Sequence, residues 1–283
     1  MAAKVHCDTV RYMRETTSPD FIEALARGLD VVRAFGPGRR ELTLSEVAEA
    51  TGLARPTARR FLITLAELGY VRIDDGSFAL TPRVLELGTA YISSSNIWEL
   101  TRPHLVALTK LTNESCSIAQ LDGSDIVYVS RAAVPKLVSL SVTLGTKFPA
   151  FPTSLGKVLL ANLDATELTE VLEQPSRSNV VAIKPPPARS VIDESLEVIR
   201  NRGYALTDQE LAPAIRSIAA PIRDGSGRVV AAVNVNAHAA ETSVETLIEQ
   251  HLPHLLETAE AISADWALWD ARPIAVMDQQ SSE

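Results

Sequence analysis

The chain has 283 residues, 46% of them apolar, and a net charge of −8 with histidine neutral. Its length exceeds one typical domain, and no uninterrupted apolar run approaches the ~20 residues of a membrane span. Cys7 and Cys116 are the only cysteines. They rule out a disulfide framework or a cysteine metal cluster and point to a reducing cytoplasm, as does an N-terminus that is charged at Lys4, Asp8, Arg11, Arg14 and Glu15. The charge is uneven. Residues 1–82 hold 11 Lys+Arg and 11 Asp+Glu, so the whole acidic excess lies beyond residue 82. A neutral first part with a local basic patch suffices for a nucleic acid, and an acidic second part opposes non-specific adhesion.

Residues 1–17 read as a loose arm. Ser18-Pro-Asp20 opens a first helix with Phe21, Ile22, Leu25, Leu29 and Val32 as its apolar positions, and Gly36-Pro-Gly38 stops it. Thr43-Leu-Ser-Glu46 is a capping box that starts a helix over Leu44–Thr51, and Gly52 ends it. Pro56 suits the first turn of the next helix. There Ala58, Phe61, Leu62, Leu65 and Leu68 form one stripe that must be buried, while Arg55, Thr57, Arg59 and Arg60 crowd the N-terminal end. In Tyr70–Leu80, Val71 and Ile73 share a face, as do Phe78 and Leu80, and Asp75-Gly76 is a hairpin turn. Helix, turn, arginine-rich helix and hairpin in this order predict a winged helix-turn-helix over residues 18–81, which places one helix in a DNA groove. Thr81-Pro82 then caps a linker helix (82–96) with Leu85, Gly88, Tyr91 and Ile92 on one side.

The second part, residues 97–272, begins with a helix from Ile97 to Thr112. Strands Ser115–Leu121 and Ile126–Arg131 flank Asp122–Asp125, and Leu137–Leu144 alternates like a third strand. Helices follow near Ser154–Leu163, Asp164–Leu172 and Ser190–Arg202. Strands Ser217–Ile222 and Val229–Asn236 come next, then a long helix from Ser243 to Asp270 and a mobile tail over 273–283. This is an α+β pattern with an antiparallel sheet flanked by helices.

Phe151-Pro-Thr-Ser154 places two good cap residues at a helix start, and Gly156 allows close approach. Free N–H groups and the helix dipole make this a natural carboxylate site; the plainer reading is that Thr153 only caps the helix. Asn234 and Asn236 alternate on an otherwise apolar strand, so an inward face holds two amides that need partners, from a ligand or an internal network. Arg131 and Arg216 are candidates for a second carboxylate, which a guanidinium binds with two parallel hydrogen bonds; each could equally sit in a structural ion pair.

Several motifs together resemble the IclR family of bacterial transcriptional regulators. They are Leu44-Ser-Glu-Val-Ala-Glu-Ala-Thr-Gly-Leu53, Arg59-Arg-Phe-Leu62, Leu68-Gly-Tyr70 and Leu80-Thr-Pro-Arg-Val-Leu-Glu-Leu-Gly88, followed by Phe151-Pro-Thr-Ser-Leu-Gly-Lys157, Arg202-Gly-Tyr204, Asp208-Gln-Glu210 and Ile215-Arg-Ser-Ile-Ala-Ala-Pro-Ile222. Asp125-Ile-Val-Tyr-Val-Ser-Arg131 and Gly145-Thr-Lys-Phe-Pro149 resemble the subgroup that controls aromatic catabolism through the β-ketoadipate pathway. The resemblance implies a GAF-like effector domain, dimerisation through the DNA-binding domain and linker helix, and often a dimer of dimers. Implied effectors are small acids and aromatics such as muconate, β-ketoadipate, protocatechuate or 4-hydroxybenzoate. The expected DNA contacts are Ser45, Arg55, Pro56, Thr57, Arg59, Arg60, Thr64 and, on the wing, Arg72. The expected effector contacts are Arg131, Phe148, Thr153, Ser154, Leu155, Gly156, Asp208, Glu210, Arg216, Ser217, Asn234 and Asn236.

The residues leave two rival readings. Ser154-Leu-Gly-Lys157 fits the S-x-x-K nucleophile motif of penicillin-recognising enzymes, but its partner motifs are absent. His251 and His254 lack a third metal ligand, and there is no phosphate-binding Gly loop, so no cofactor is expected. The other rival is a constitutive DNA-binding protein with a silent sensor domain.

Overall fold

The structure is a computed structural model that describes residues 19–36, 38–88, 97–135, 142–178, 180–181 and 185–271. The predicted arm and tail lie outside these residues, as do most of the linker helix and residues 137–141 of the predicted third strand. The chain divides into two compact units at Ser95/Asn96.

The first unit contains α1 (Glu23–Arg33), β1 (Glu41–Thr43), α2 (Leu44–Thr51), α3 (Arg55–Glu67), β2 (Val71–Asp74) and β3 (Ser77–Leu80). The capping box forms: Glu46 Oε2 accepts from the Thr43 N–H at 2.7 Å, and Thr43 Oγ1 accepts from the Glu46 N–H at 3.4 Å. Gly52 leaves α2 at φ 65°, a left-handed conformation that glycine adopts freely. Asp75 and Gly76 both have positive φ, the requirement of the two-residue turn joining β2 to β3. β1 adds a third, antiparallel strand beside β3, which the sequence reading lacked. Val31, Val47, Ala58, Leu62, Val71 and Phe78 form the core.

Three apolar expectations are corrected. Leu68 is 52% exposed because it caps α3 rather than continuing its stripe. Ile73 is exposed while Val71 is buried, since the hairpin tip runs past the core. On α1 the core-facing residue is Val31. It sits roughly 120° around the helix from Leu25 at 100° per residue, so Phe21, Ile22, Leu25 and Leu29 stay exposed. The helix also starts at Glu23 with no side-chain cap. Thr81 caps a single 3₁₀ turn, Pro82–Val84, and residues 85–88 are helical.

The second unit is a six-stranded antiparallel sheet in the order β6-β5-β4-β9-β8-β7. The strands are β4 (Ser115–Asp122), β5 (Asp125–Ala132), β6 (Lys147–Pro149), β7 (Ala205–Asp208), β8 (Ile215–Arg223) and β9 (Val229–His238). Residues 142–144, the described part of the predicted third strand, belong to no strand; the strand in this stretch is β6. β7 was also unforeseen. The helices are α4 (Ile97–Thr112), α5 (Ser154–Ala161), α6 (Ala165–Glu173) and α7 (Arg189–Arg202), then a turn at Val244–Thr246, a π-helical turn at Leu247–His251 and α8 (Leu252–Asp270). Side chains alternate across the sheet. Ile118, Ile218, Val233 and Val235 pack with α4 and α8, whereas Ala119, Ile126, Phe148 and Ala219 pack with α5, α6 and α7. The expected α+β architecture is therefore present.

Candidate functional site

On the first unit, α3 presents Arg55, Pro56, Arg59, Arg60 and Thr64 to solvent, with Thr57 half-buried. Ser45 is exposed on the first turn of α2. Among the described residues, Arg55, Arg59 and Arg60 show no ion pair. Ala54 provides no side-chain cap to α3, so N–H groups of its first turn remain open to an anion. The Thr64 hydroxyl donates back to the Arg60 carbonyl at 2.9 Å. Arg72 differs: its guanidinium pairs with Glu41 at 2.7 Å and with Asp74.

On the second unit, register brings one group of expected effector residues together. Ser117 pairs with Asn234 and with Arg131, Ser115 with Asn236, and Ser217 with Asn236 and Thr207, so these side chains share the α5 face of the sheet. A hydrogen-bonded chain crosses that face. Arg131 Nη1 donates to Ser117 Oγ at 3.1 Å, and the Ser117 N–H donates to Asn234 Oδ1 at 3.1 Å. Asn234 Nδ2 donates to Ser217 Oγ at 3.1 Å, and Ser217 Oγ lies 2.7 Å from Ser154 Oγ at the start of α5. Ser117, Asn234, Ser217 and Ser154 are all buried. The Ser217 hydroxyl donates to the Val235 carbonyl at 3.1 Å. Ser154 is then the donor in the serine pair, because each hydroxyl has one proton.

Thr153 does cap α5. Its Oγ1 accepts from the Gly156 N–H at 3.0 Å and donates to the Ala150 carbonyl at 2.8 Å. The N–H groups of Ser154 and Leu155 have no partner inside the helix. The closeness that Gly156 permits is to the chain itself: a Cβ there would lie 2.1 Å from the Ala150 carbonyl oxygen. Phe148 and Leu155 are fully buried beside this end of α5.

The two arginines are now distinguished. Arg216 lies on the opposite face, where it holds Asp208 (Nε–Oδ1 2.6 Å) and donates to the carbonyls of Ala239 and Thr242. The ion pair keeps Asp208 below its ordinary pKa. Neither residue meets the polar chain. Arg131 is half-buried, burial lowers its pKa, and among the described residues no carboxylate pairs with it. Glu210 binds Lys157 Nζ at 2.8 and 2.6 Å, and Lys157 also lies over the Phe151 ring. Ser154 and Lys157 thus have separate partners, so the S-x-x-K dyad does not form. Among the described residues, no three His, Cys, Asp or Glu side chains gather as a metal site, and no helix is long and apolar enough to cross a membrane.

Ser117, the link between Arg131 and Asn234, is not among the residues expected from sequence. Its strand was legible, but its face became clear only from cross-strand register. A cleft of about 490 Å³ opens at the other end of the same strands, lined in part by Gln120, Leu163, Arg228 and Trp266. None of the expected effector residues lines it. The buried polar chain is the better guide to a ligand, because it runs from a guanidinium with no carboxylate partner among the described residues to a helix start whose first N–H groups have no partner inside the helix.

A winged helix with free arginines, together with a helix-flanked sheet that buries a polar chain, defines a DNA-binding regulator with a sensor-type domain. Sequence comparison agrees. The pattern described as "IclR helix-turn-helix domain" matches residues 24–75, and "Bacterial transcriptional regulator IclR C-terminal" matches residues 89–264. The chain belongs to the IclR family of bacterial transcriptional regulators; it is a DNA-binding regulator and not an enzyme. It is 39% identical over 247 residues to the Pca regulon regulatory protein of Pseudomonas putida, covering 85% of this chain and 83% of that one. It is 34% identical over 253 residues to the p-hydroxybenzoate hydroxylase transcriptional activator of Acinetobacter baylyi, covering 88% and 93%. The solved structure of a putative transcriptional regulator, RHA06195 from Rhodococcus sp. RHA1, is similar with a TM-score of 0.75 at 45% identity, over 88% of this chain and 100% of that one.

Proposed function

We propose that this regulator controls an aromatic-catabolic operon in the cytoplasm and responds to a small carboxylic acid. The observation that carries the reading is the buried chain from Arg131 to Ser154. At one end the Ser154 and Leu155 N–H groups and the dipole of α5 receive a carboxylate. At the other, Arg131 is a desolvated cation without a carboxylate partner among the described residues. Ser117 on β4 and Ser217 on β8, which Arg131 and Ser154 contact, lie two strand spacings apart, roughly 10 Å between backbones. That length suits a two-ended acid such as muconate or β-ketoadipate, or an aromatic acid with a polar group opposite its carboxylate, such as 4-hydroxybenzoate or protocatechuate. The relatives named for the Pca regulon and for p-hydroxybenzoate hydroxylase support the same class.

In this reading residues 18–81 bind DNA through Ser45, Arg55, Pro56, Thr57, Arg59, Arg60 and Thr64, residues 82–96 link, and residues 97–272 sense. Phe21 and Ile22 just before α1, Leu25 and Leu29 on it, and Leu85 and Leu87 beyond the wing are exposed apolar side chains. A second copy covers them, giving a dimer that reads a two-fold operator, and effector domains pair dimers into a tetramer. Control requires the acid to bind the DNA-competent and incompetent states unequally. Thr153→Val with Ser154→Ala tests the site: DNA affinity is retained and the effector dose response disappears. An unchanged dose response refutes the assignment.

A further inference from the structure

On the winged-helix unit, the hairpin carries a charge arrangement opposite to what a phosphate-binding wing needs. β1, β3 and β2 lie side by side, with Glu41 opposite Ala79 and Ala79 opposite Arg72. Directly opposed residues on adjacent strands share a face, so Glu41, Ala79, Arg72 and Asp74 all lie on the side away from Leu42 and Phe78. Ala79 has only a methyl group and is 6% exposed. The Arg72 side chain crosses over it and reaches Glu41 at 2.7 Å, while its other Nη group pairs with Asp74. Asp75 follows at the turn with φ 43°. The hairpin and its neighbouring strand thus present three carboxylates and one guanidinium, all exposed.

We propose that Glu41 and Asp74 form a clamp that withholds Arg72 from the DNA backbone, so the wing limits non-specific affinity instead of adding a phosphate contact. This rests on the DNA-binding reading of the unit. Specificity is the ratio of operator to non-specific affinity, and the non-specific share is almost wholly phosphate electrostatics. A wing that contributes none lowers this sequence-independent affinity without touching a base. Exposed ion pairs are individually weak. Here two carboxylates flank one guanidinium, and phosphates must compete with both while being repelled by Asp75.

The test is fluorescence anisotropy of the full chain on operator and on unrelated duplex, across 50 to 200 mM salt. Arg72→Ala alone is expected to leave both affinities within about twofold. Glu41→Gln with Asp74→Asn is expected to tighten binding to the unrelated duplex by roughly tenfold at low salt. It also steepens the slope of log K against log salt by about 0.9 per subunit, the value for one added phosphate contact. Adding Arg72→Ala to that pair is expected to abolish the gain. A tenfold loss in Arg72→Ala alone overturns the proposal, as does a gain that survives in the triple variant, which would mean simple relief of repulsion. Unchanged affinity and slope in the double variant also overturn it. Arg59→Ala is measured alongside; wild-type operator binding there refutes the α3 assignment and leaves the wing result to be judged separately.

Discussion

Replacing Asn234 with alanine tests the polar chain at its centre. The Asn234 amide accepts from the buried Ser117 N–H and donates to Ser217 Oγ. Truncation leaves the Ser117 N–H without that acceptor, a cost of about 1–3 kcal/mol for an unsatisfied buried donor. Loss of the Ser217 hydrogen bond adds about 1 kcal/mol net. The sum, about 2–4 kcal/mol, lowers the melting temperature of the effector unit by roughly 5–15 °C at ~2–4 °C per kcal/mol for a domain of this size. Differential scanning calorimetry of the full chain, with and without a responsive acid, reads both the shift and the loss of ligand stabilisation. Operator affinity below the transition stays at the wild-type value, because Asn234 belongs to the other unit. A shift under 2 °C, or retained ligand stabilisation, refutes the view that this amide joins the two ends of the site.

Gly156→Ala puts a methyl 2.1 Å from the Ala150 carbonyl oxygen, which is backbone and cannot swing aside. A destabilisation at or above the ~3 kcal/mol end of ordinary overpacking is expected in urea unfolding, and a wild-type midpoint contradicts it. Arg59→Ala and Arg60→Ala are each expected to cost about 1–3 kcal/mol of operator affinity if the side chain reads a base; wild-type binding by both sinks the α3 assignment. Burial pushes the Cys116 thiol up to about 11. In a Cys7→Ser background, native protein at pH 8 is expected to resist a thiol reagent that reacts fully after denaturation, and equal rates refute this. Because the folded value is raised, the neutral thiol's stabilisation is complete below the unfolded value near 8.5 and is lost as pH climbs towards 11.

The features that were legible in the sequence are local ones. The Thr43–Glu46 capping box was readable because its partners lie three residues apart. The Asp75-Gly76 turn was readable because only a few residue types tolerate its dihedral angles. Elements whose stability comes from distant pairing were not. β1 is three residues long and exists by virtue of β3, and β6 ends in a proline and is held by β5. The exposed face of α1 reads like any buried amphipathic stripe, since the pattern alone does not say whether the fold covers it. At the effector end, the residue types at Thr153, Ser154, Asn234 and Arg131 were readable. Their joining through Ser117 and Ser217 was not, and neither was the diversion of Arg216 to Asp208 across the sheet. Those contacts span from 8 to 117 residues of chain and depend on register.

The most direct measurement is isothermal titration calorimetry of the full chain with muconate, β-ketoadipate, protocatechuate and 4-hydroxybenzoate, repeated on Thr153→Val/Ser154→Ala. The account predicts saturable heat with at least one of these acids, abolished in the variant while operator binding persists. Binding that survives unchanged in the variant, or no heat with any of the acids from protein that still binds its operator, contradicts it.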